Sequence, residues 1–175
     1  MHKHWIGLPL GLALIGGLVG CRSAPVSAQS FFGGSPIDGV HCDAVEGIAE
    51  HVHAHLQLFA RGRKIAVPAM IGIPNGSGCL YWLHTHQDDG VIHIESPVKR
   101  PFTLGQFFDI WGSSLSWTHA AGAQAARSKR LSITIDGHPY RGRDPRTIVL
   151  RDRQEIVIQS GPPYGRPEKF DFGGM

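Results

Sequence analysis

From residue 51 the chain alternates with a period of two. Val52, Ala54, Leu56, Leu58 and Ala60 fall on one face, and His51, His53, His55 and Gln57 on the other. Successive side chains of a strand point to opposite faces, so the pattern predicts a strand with one apolar and one histidine-rich face. Arg61-Gly62-Arg63 reads as a turn and residues 64–67 as the returning strand, with Pro68 at its cap or edge. After the Asn75-Gly76-Ser77-Gly78 loop comes a second hairpin. Its arms are residues 79–86 and 91–95, and Gln87-Asp88-Asp89-Gly90 forms its turn. Thr103 can cap a helix over 104–111, where Leu104, Phe107, Phe108 and Trp111 recur at helical spacing, and Gly112 ends it. Residues 113–127 fit neither period. Strands are expected at 131–135, before an Asp136-Gly137 turn, at 147–150 and at 155–159. The fold class is therefore α+β and β-rich: two antiparallel hairpins, one short helix and a C-terminal β segment.

Six of the 11 histidines lie between residues 51 and 93, so parity decides which of them can meet. His84 and His86 share a face, as do His93 and Glu95. If Asp88-Asp89 centre the turn, His84 lies opposite His93. If Asp89-Gly90 form it, the favoured two-residue chemistry, His86 lies opposite His93 and His84 opposite Glu95. Both registers gather His84, His86, His93 and Glu95 on one face, with opposed Cβ atoms about 4.5–5.5 Å apart. Imidazoles at that spacing can share an ion through Zn–N bonds of about 2.0–2.1 Å. The core ligands expected are His84, His86 and His93, followed by His53, His55 and Glu95. Imidazole with a carboxylate suits a transition metal, copper ahead of zinc on the general affinity order. Calcium and magnesium prefer oxygen donors. Binding should weaken below about pH 6 as imidazoles take up protons. Val52, Leu56, Leu58, Ile92 and Ile94 point the other way, so the histidines should line the side away from the main core. That side is either open to solvent or a cleft covered by the 103–112 helix or the 113–127 segment. His41, His119 and His138 stand alone and read as structural or exposed.

The remaining composition concerns location. The 175 residues are 42% hydrophobic and 18% charged, which fits a globular protein, while 23 Gly and 12 Pro favour turns over long helices. The net charge is only +3 and the basic residues are scattered, without the concentrated face that nucleic acid requires, so no nucleic-acid partner is expected. Residues 1–20 have the build of a signal peptide: Lys3 between His2 and His4, then an apolar run from Trp5 to Val19. The run is shorter than the ~18 residues a spanning helix needs. It ends in Leu18-Val19-Gly20-Cys21, which resembles the lipobox of bacterial lipoproteins. That resemblance implies acylation of Cys21 and anchorage to a membrane through lipid. The alternative is cleavage after Val26-Ser27-Ala28, releasing a soluble exported protein. Residues 21–37, rich in Ser, Ala, Pro and Gly, read as a tether. Residues 38–112 form a His-rich β domain and 113–175 a C-terminal segment packed on it. An exported compartment is oxidising. A Cys42–Cys79 disulfide is expected there, closing a loop worth about 3–4 kcal/mol. Two buried free thiols are the alternative.

Tyr81-Trp82-Leu83-His84-Thr85-His86 and Gly90-Val91-Ile92-His93-Ile94-Glu95-Ser96-Pro97 resemble the signature of a group of uncharacterised exported prokaryotic proteins. His53-Ala54-His55-Leu56 and Phe102-Thr103-Leu104-Gly105-Gln106-Phe107-Phe108-Asp109 belong to the same signature. The resemblance spans roughly 40–112, with a fainter echo at Asp144-Pro145-Arg146, and implies a domain boundary without an activity. His84-x-His86 also resembles the metal motif of the cupins, although four residues after His86 stands Gly90 and Glu95 is nine away. No serine-nucleophile elbow, phosphate-binding loop or dinucleotide fingerprint occurs. The functional expectation is an envelope lipoprotein that binds, sequesters or transfers copper or zinc. A metal-dependent, cupin-like enzyme and a metal-free structural or interaction protein are the alternatives.

Overall fold

The computed structural model describes residues 1–2 and 34–175. The signal segment, Cys21, the cleavage site at Ala28 and most of the tether lie outside the described residues. Among the described residues no helix is long and apolar enough to cross a membrane.

The protein is built on one long strand. β2 (Glu50–Ala60) runs through the middle of a seven-stranded mixed sheet. On one edge it pairs antiparallel first with β6 (Val91–Ser96) and then with β3 (Arg63–Ile65). On the other edge it pairs parallel with β11 (Gln154–Ser160), the last strand of the chain. β5 (Leu83–His84) flanks β6, while β9 (Ser132–Ile135) and β10 (His138–Pro139) continue the sheet beyond β11. Two short pairs lie outside the sheet: β1 (Cys42–Asp43) with β4 (Leu80–Tyr81), and β7 (His119–Ala120) with β8 (Ala123–Gln124) within the 113–127 segment.

Local chemistry accounts for most boundaries. Arg61 and Gly62, both at positive φ, form the two-residue loop that twists β2 into β3. The Thr103 side chain accepts from the Gln106 N–H, and the Gln106 side chain accepts from the Thr103 N–H. This reciprocal cap starts α1 (Leu104–Trp111), and Gly112 at φ 68° stops it. The strand expected at 147–150 is not formed. Asp144 instead caps a short 3-10 helix, Pro145–Thr147, and the following residues run beside the entry to α1 through Leu104 N–H to Ile148 O and Leu150 N–H to Phe102 O. The neighbouring segment turns into α1 at Leu104, so only an isolated bridge, Thr103 to Val149, forms.

The apolar alternates behave as the pattern requires. Leu56, Leu58, Ile92, Ile94, Ile156 and Ile158 form one core with Phe102, Leu104, Phe107 and Phe108, so α1 covers the apolar face. The histidine face is covered by other parts. The C-terminal tail lies over its far end, where Gln57 donates to Glu168 O and accepts from Glu168 N–H, and Phe170 packs on His55. At the near end Glu46 approaches His86, and Gly47 presses on the backbone of Ser96 and Pro97 so closely that a Cβ would stand 2.1 Å from it. Cys42 and Cys79 form a disulfide, with Cα atoms 5.4 Å apart, that ties β1 to the loop before β4.

Candidate metal centre

Strand pairing assembles the site. His53 lies opposite His93 across β2 and β6, and His93 opposite His84 across β6 and β5. One rung of the sheet therefore carries three imidazoles side by side, with ring centroids 4.6 Å and 5.2 Å apart. On the next rung His51 lies opposite Glu95. The hairpin register is the one centred on Asp88-Asp89, not the favoured Asp-Gly turn. Gly90 is used elsewhere: at φ +92° its carbonyl accepts from the Leu56 N–H, and a Cβ would stand 2.4 Å from Leu56 O. It carries the chain tight against β2 instead of turning it.

Beyond His84 the strand gives way. Thr85 exchanges backbone hydrogen bonds with Met70 and Ile71, and its hydroxyl donates to Pro68 O while accepting from Ile71 N–H. The chain bends there, and His86 Nε2 comes within 3.2 Å of His84 Nε2. One ring nitrogen from each of His84, His86 and His93 lies within 4.8 Å of the other two.

The proton positions follow from the acceptors. His84 Nδ1 donates to Tyr81 O at 2.9 Å, so its Nε2 presents a lone pair to the cluster. Burial pushes the His84 imidazole down to about 4, which keeps that lone pair free at neutral pH. His93 Nδ1 donates to Glu95 Oε1 at 3.0 Å, the contact that orients metal-binding histidines elsewhere in protein chemistry. His53 is likewise held below its ordinary value, by burial first and then by its neighbours His93 and His51.

Glu95 is the centre of charge. Burial on its own would raise its carboxyl. The hydrogen bond from His93 and the neighbouring His84, His93 and His51 outweigh burial and hold it below the usual carboxylate range. It is therefore an anion at 3% exposure, and its Oε2 is buried without a hydrogen-bond partner among the described residues. That oxygen faces His84 Nε2 at 3.8 Å. The His84 Nε2 lone pair has the His86 ring within hydrogen-bond distance, so the orphaned group is the carboxylate oxygen, whose burial without a partner is costly and would be relieved by a bound cation. Donor atoms around a tetrahedral zinc stand about 3.3 Å apart, given bonds of about 2.0–2.2 Å. The 3.2 Å and 3.8 Å separations in this cluster are close to that spacing. The donor set of imidazoles and carboxylate fits a transition metal.

Access to the His84 group is through His86. His84 is fully buried, whereas the His86 side chain is 40% exposed and lies 3.5 Å from Glu46 Oε1. Beside them opens a cavity of about 480 Å³, lined by Ala44, Glu46, Met70, Ile73, Leu80 and His86 among others.

Of the residues expected from the sequence, His84, His86 and His93 come together, Glu95 lies against His93 and His84 at 3.0 Å and 3.8 Å, and His53 stands beside His93 along the rung. His55 does not. It shares their face but lies farther along β2, where its Nδ1 meets Glu155 Oε2 at 2.8 Å and its Nε2 meets Asp89 O at 3.0 Å, so both ring nitrogens are engaged. His51 and Glu46 belong to the groups that could hold an ion but were not expected there. Parity already put His51 on the right face, and only the β2–β6 register brings it to Glu95. Nothing local in the sequence marks Glu46. His41, His119 and His138 are exposed and outside the cluster. Compared with known proteins, the chain matches no protein-family profile, no characterised protein and no solved structure.

Proposed function

We propose that this protein binds a transition-metal ion through His84, His86 and His93, with Glu95 Oε2 as a fourth donor, and that it holds and passes on that ion in the cell envelope. The observation that carries the reading is the buried, anionic Glu95 with an unpartnered oxygen facing the lone pair of His84. Copper is favoured over zinc because imidazole-rich sites follow the general affinity order. Transfer rather than permanent storage is favoured by the exposed donor, His86, and by Glu46, an exposed carboxylate at the same mouth. The proposed location is a membrane surface, with the domain carried on lipid at Cys21. The lipobox-like Leu18-Val19-Gly20-Cys21 supports this.

Elemental analysis of the full chain, purified without chelator or added metal, tests the reading. At least one equivalent of copper or zinc is expected. His84→Ala with His86→Ala should abolish tight binding, and His119→Ala should leave it intact. Less than a tenth of an equivalent, together with only millimolar affinity on titration, would overturn the proposal.

The cavity beside His86 favours a second reading, in which the same ion activates water or a small molecule. A bound ion that retains an exchangeable water ligand would favour catalysis. Closure by four protein donors would favour binding and transfer.

A further inference from the structure

The ion at His84, His86 and His93 leaves one side of Glu95 unused. Its second oxygen, Oε1, faces away from His84 toward another set of imidazoles. His51 Nε2 lies 3.4 Å and His53 Nε2 3.9 Å from Oε1. The three side chains His51, His53 and Glu95 form a separate group whose donor atoms all fall within 4.8 Å of one another. They sit on two adjacent rungs of β2 and β6, fixed by the His51–Glu95 and His53–His93 pairings.

His93 does not exhaust this oxygen. It donates one hydrogen bond to Oε1 at 3.0 Å, and a carboxylate oxygen has two lone pairs. The other lone pair is available to a cation. The 3.4 Å from His51 to Oε1 matches the edge of a tetrahedral site, about 3.3 Å, and the 3.9 Å from His53 is somewhat longer. Glu95 thus turns one oxygen to each of two histidine groups.

We infer that the protein holds two transition-metal ions rather than one, with Glu95 bridging them: one at His84, His86 and His93, and a second at His51 and His53. This rests on the metal reading of the first group and extends it. The second site is the weaker, because it has three protein donors and the His51 side chain is 52% exposed. Water completes its shell, so this ion exchanges faster. A pair of unequal ions, one deep and one at the surface, suits stepwise loading in which the outer site fills and empties first. It also gives His51 a role that its exposed position does not otherwise require.

The test is titration of the metal-free full chain with Cu(II), followed by equilibrium binding and electron paramagnetic resonance. Two equivalents should bind in distinct steps, the second at least tenfold weaker. The first should give the spectrum of an isolated ion. At two equivalents that spectrum should broaden and lose intensity per copper, because the two spins interact through the shared carboxylate. His51→Ala should remove the second step and leave the first within about twofold. Glu95→Gln should weaken both. A variant lacking His119 and His138 should keep both steps, which separates this pair from surface histidines. If the native chain stops at one equivalent, the second site is wrong and the first stands. The inference also fails if the second step survives His51→Ala or if two non-interacting spins appear. No tight step at all would overturn both.

Discussion

His84 ties the electrostatics of the site to the stability of the fold. Its imidazole is neutral when folded down to about pH 4, because it is buried, whereas in the unfolded chain it takes up a proton near the ordinary 6.5. Between those values the unfolded chain binds more protons. The contribution is therefore complete above about pH 6.5 and is lost as pH falls toward 4. His53 is shifted in the same direction, and Glu95, held low, adds its own loss at more acid pH. Metal-free protein should lose on the order of 2 kcal/mol between pH 7 and pH 4.5 through His84 alone. His84→Gln should flatten much of that slope in thermal melts. A melting temperature unchanged from pH 7 to 4.5 in the native chain would mean that His84 is not buried as described. At this scale the sequence was largely readable. Parity put His84, His93 and Glu95 on one face, because side-chain direction along a strand is local information, whereas His86 lies past the end of its strand and reaches the cluster through the bend that Thr85 makes against Pro68, Met70 and Ile71. His55 has the same parity and goes elsewhere, captured by Glu155, a residue 100 positions away. No short-range pattern records that partner.

At the scale of elements, the site depends on how β6 is set against β2. Gly90 makes that junction, with φ +92° and the Leu56 carbonyl where a Cβ would be. Replacing it with alanine forces strain at positive φ and pushes the backbone away from β2, costing about 2 kcal/mol or more. Gly76, at φ +74° with open space around it, is the control, and its alanine variant should cost less than half as much. Denaturant unfolding of the two variants measures the difference, and metal affinity should fall for Gly90→Ala alone. Equal losses would show that the close approach does not matter. The helix from Thr103 to Gly112 was legible in full, since cap, apolar spacing and stop residue are all local. The hairpin register was not. Asp-Gly is the stronger turn signal, but the glycine is used for contact with β2, and long-range packing overrode the local preference. The strand expected at 147–150 failed for a related reason. Its β-branched Thr147, Ile148 and Val149 have the right character but only a short segment to pair with.

At the scale of the whole molecule, the histidine face is neither bare nor covered by the helix. Its two ends are closed by parts of the chain distant in sequence. The C-terminal tail seals the His55 end, and the loop carrying Glu46 closes toward His86, next to the Cys42–Cys79 disulfide. The middle is left as a polar site that is buried at His84 and exposed at both ends, at His51 on β2 and at His86 beyond β5. A buried strand order that puts β11 between β9 and β2 could not be read from the pattern, because parallel pairing between strands 100 residues apart leaves no turn signal. The alternation that made β2 a strand was visible; which strands would flank it was not. The molecule as a whole thus turns a polar strand face, ordinarily a solvated one, into an enclosed cluster of imidazoles around a buried carboxylate. The claim that this cluster exists to hold an ion is tested most directly by an anomalous-difference map from crystals of the full chain grown with Cu(II) or Zn(II). A peak bounded by His84 Nε2, His86 Nε2, His93 and Glu95 Oε2 is the expected result. A map with no peak there, or with metal only at His119, His138 or other exposed histidines, would contradict it.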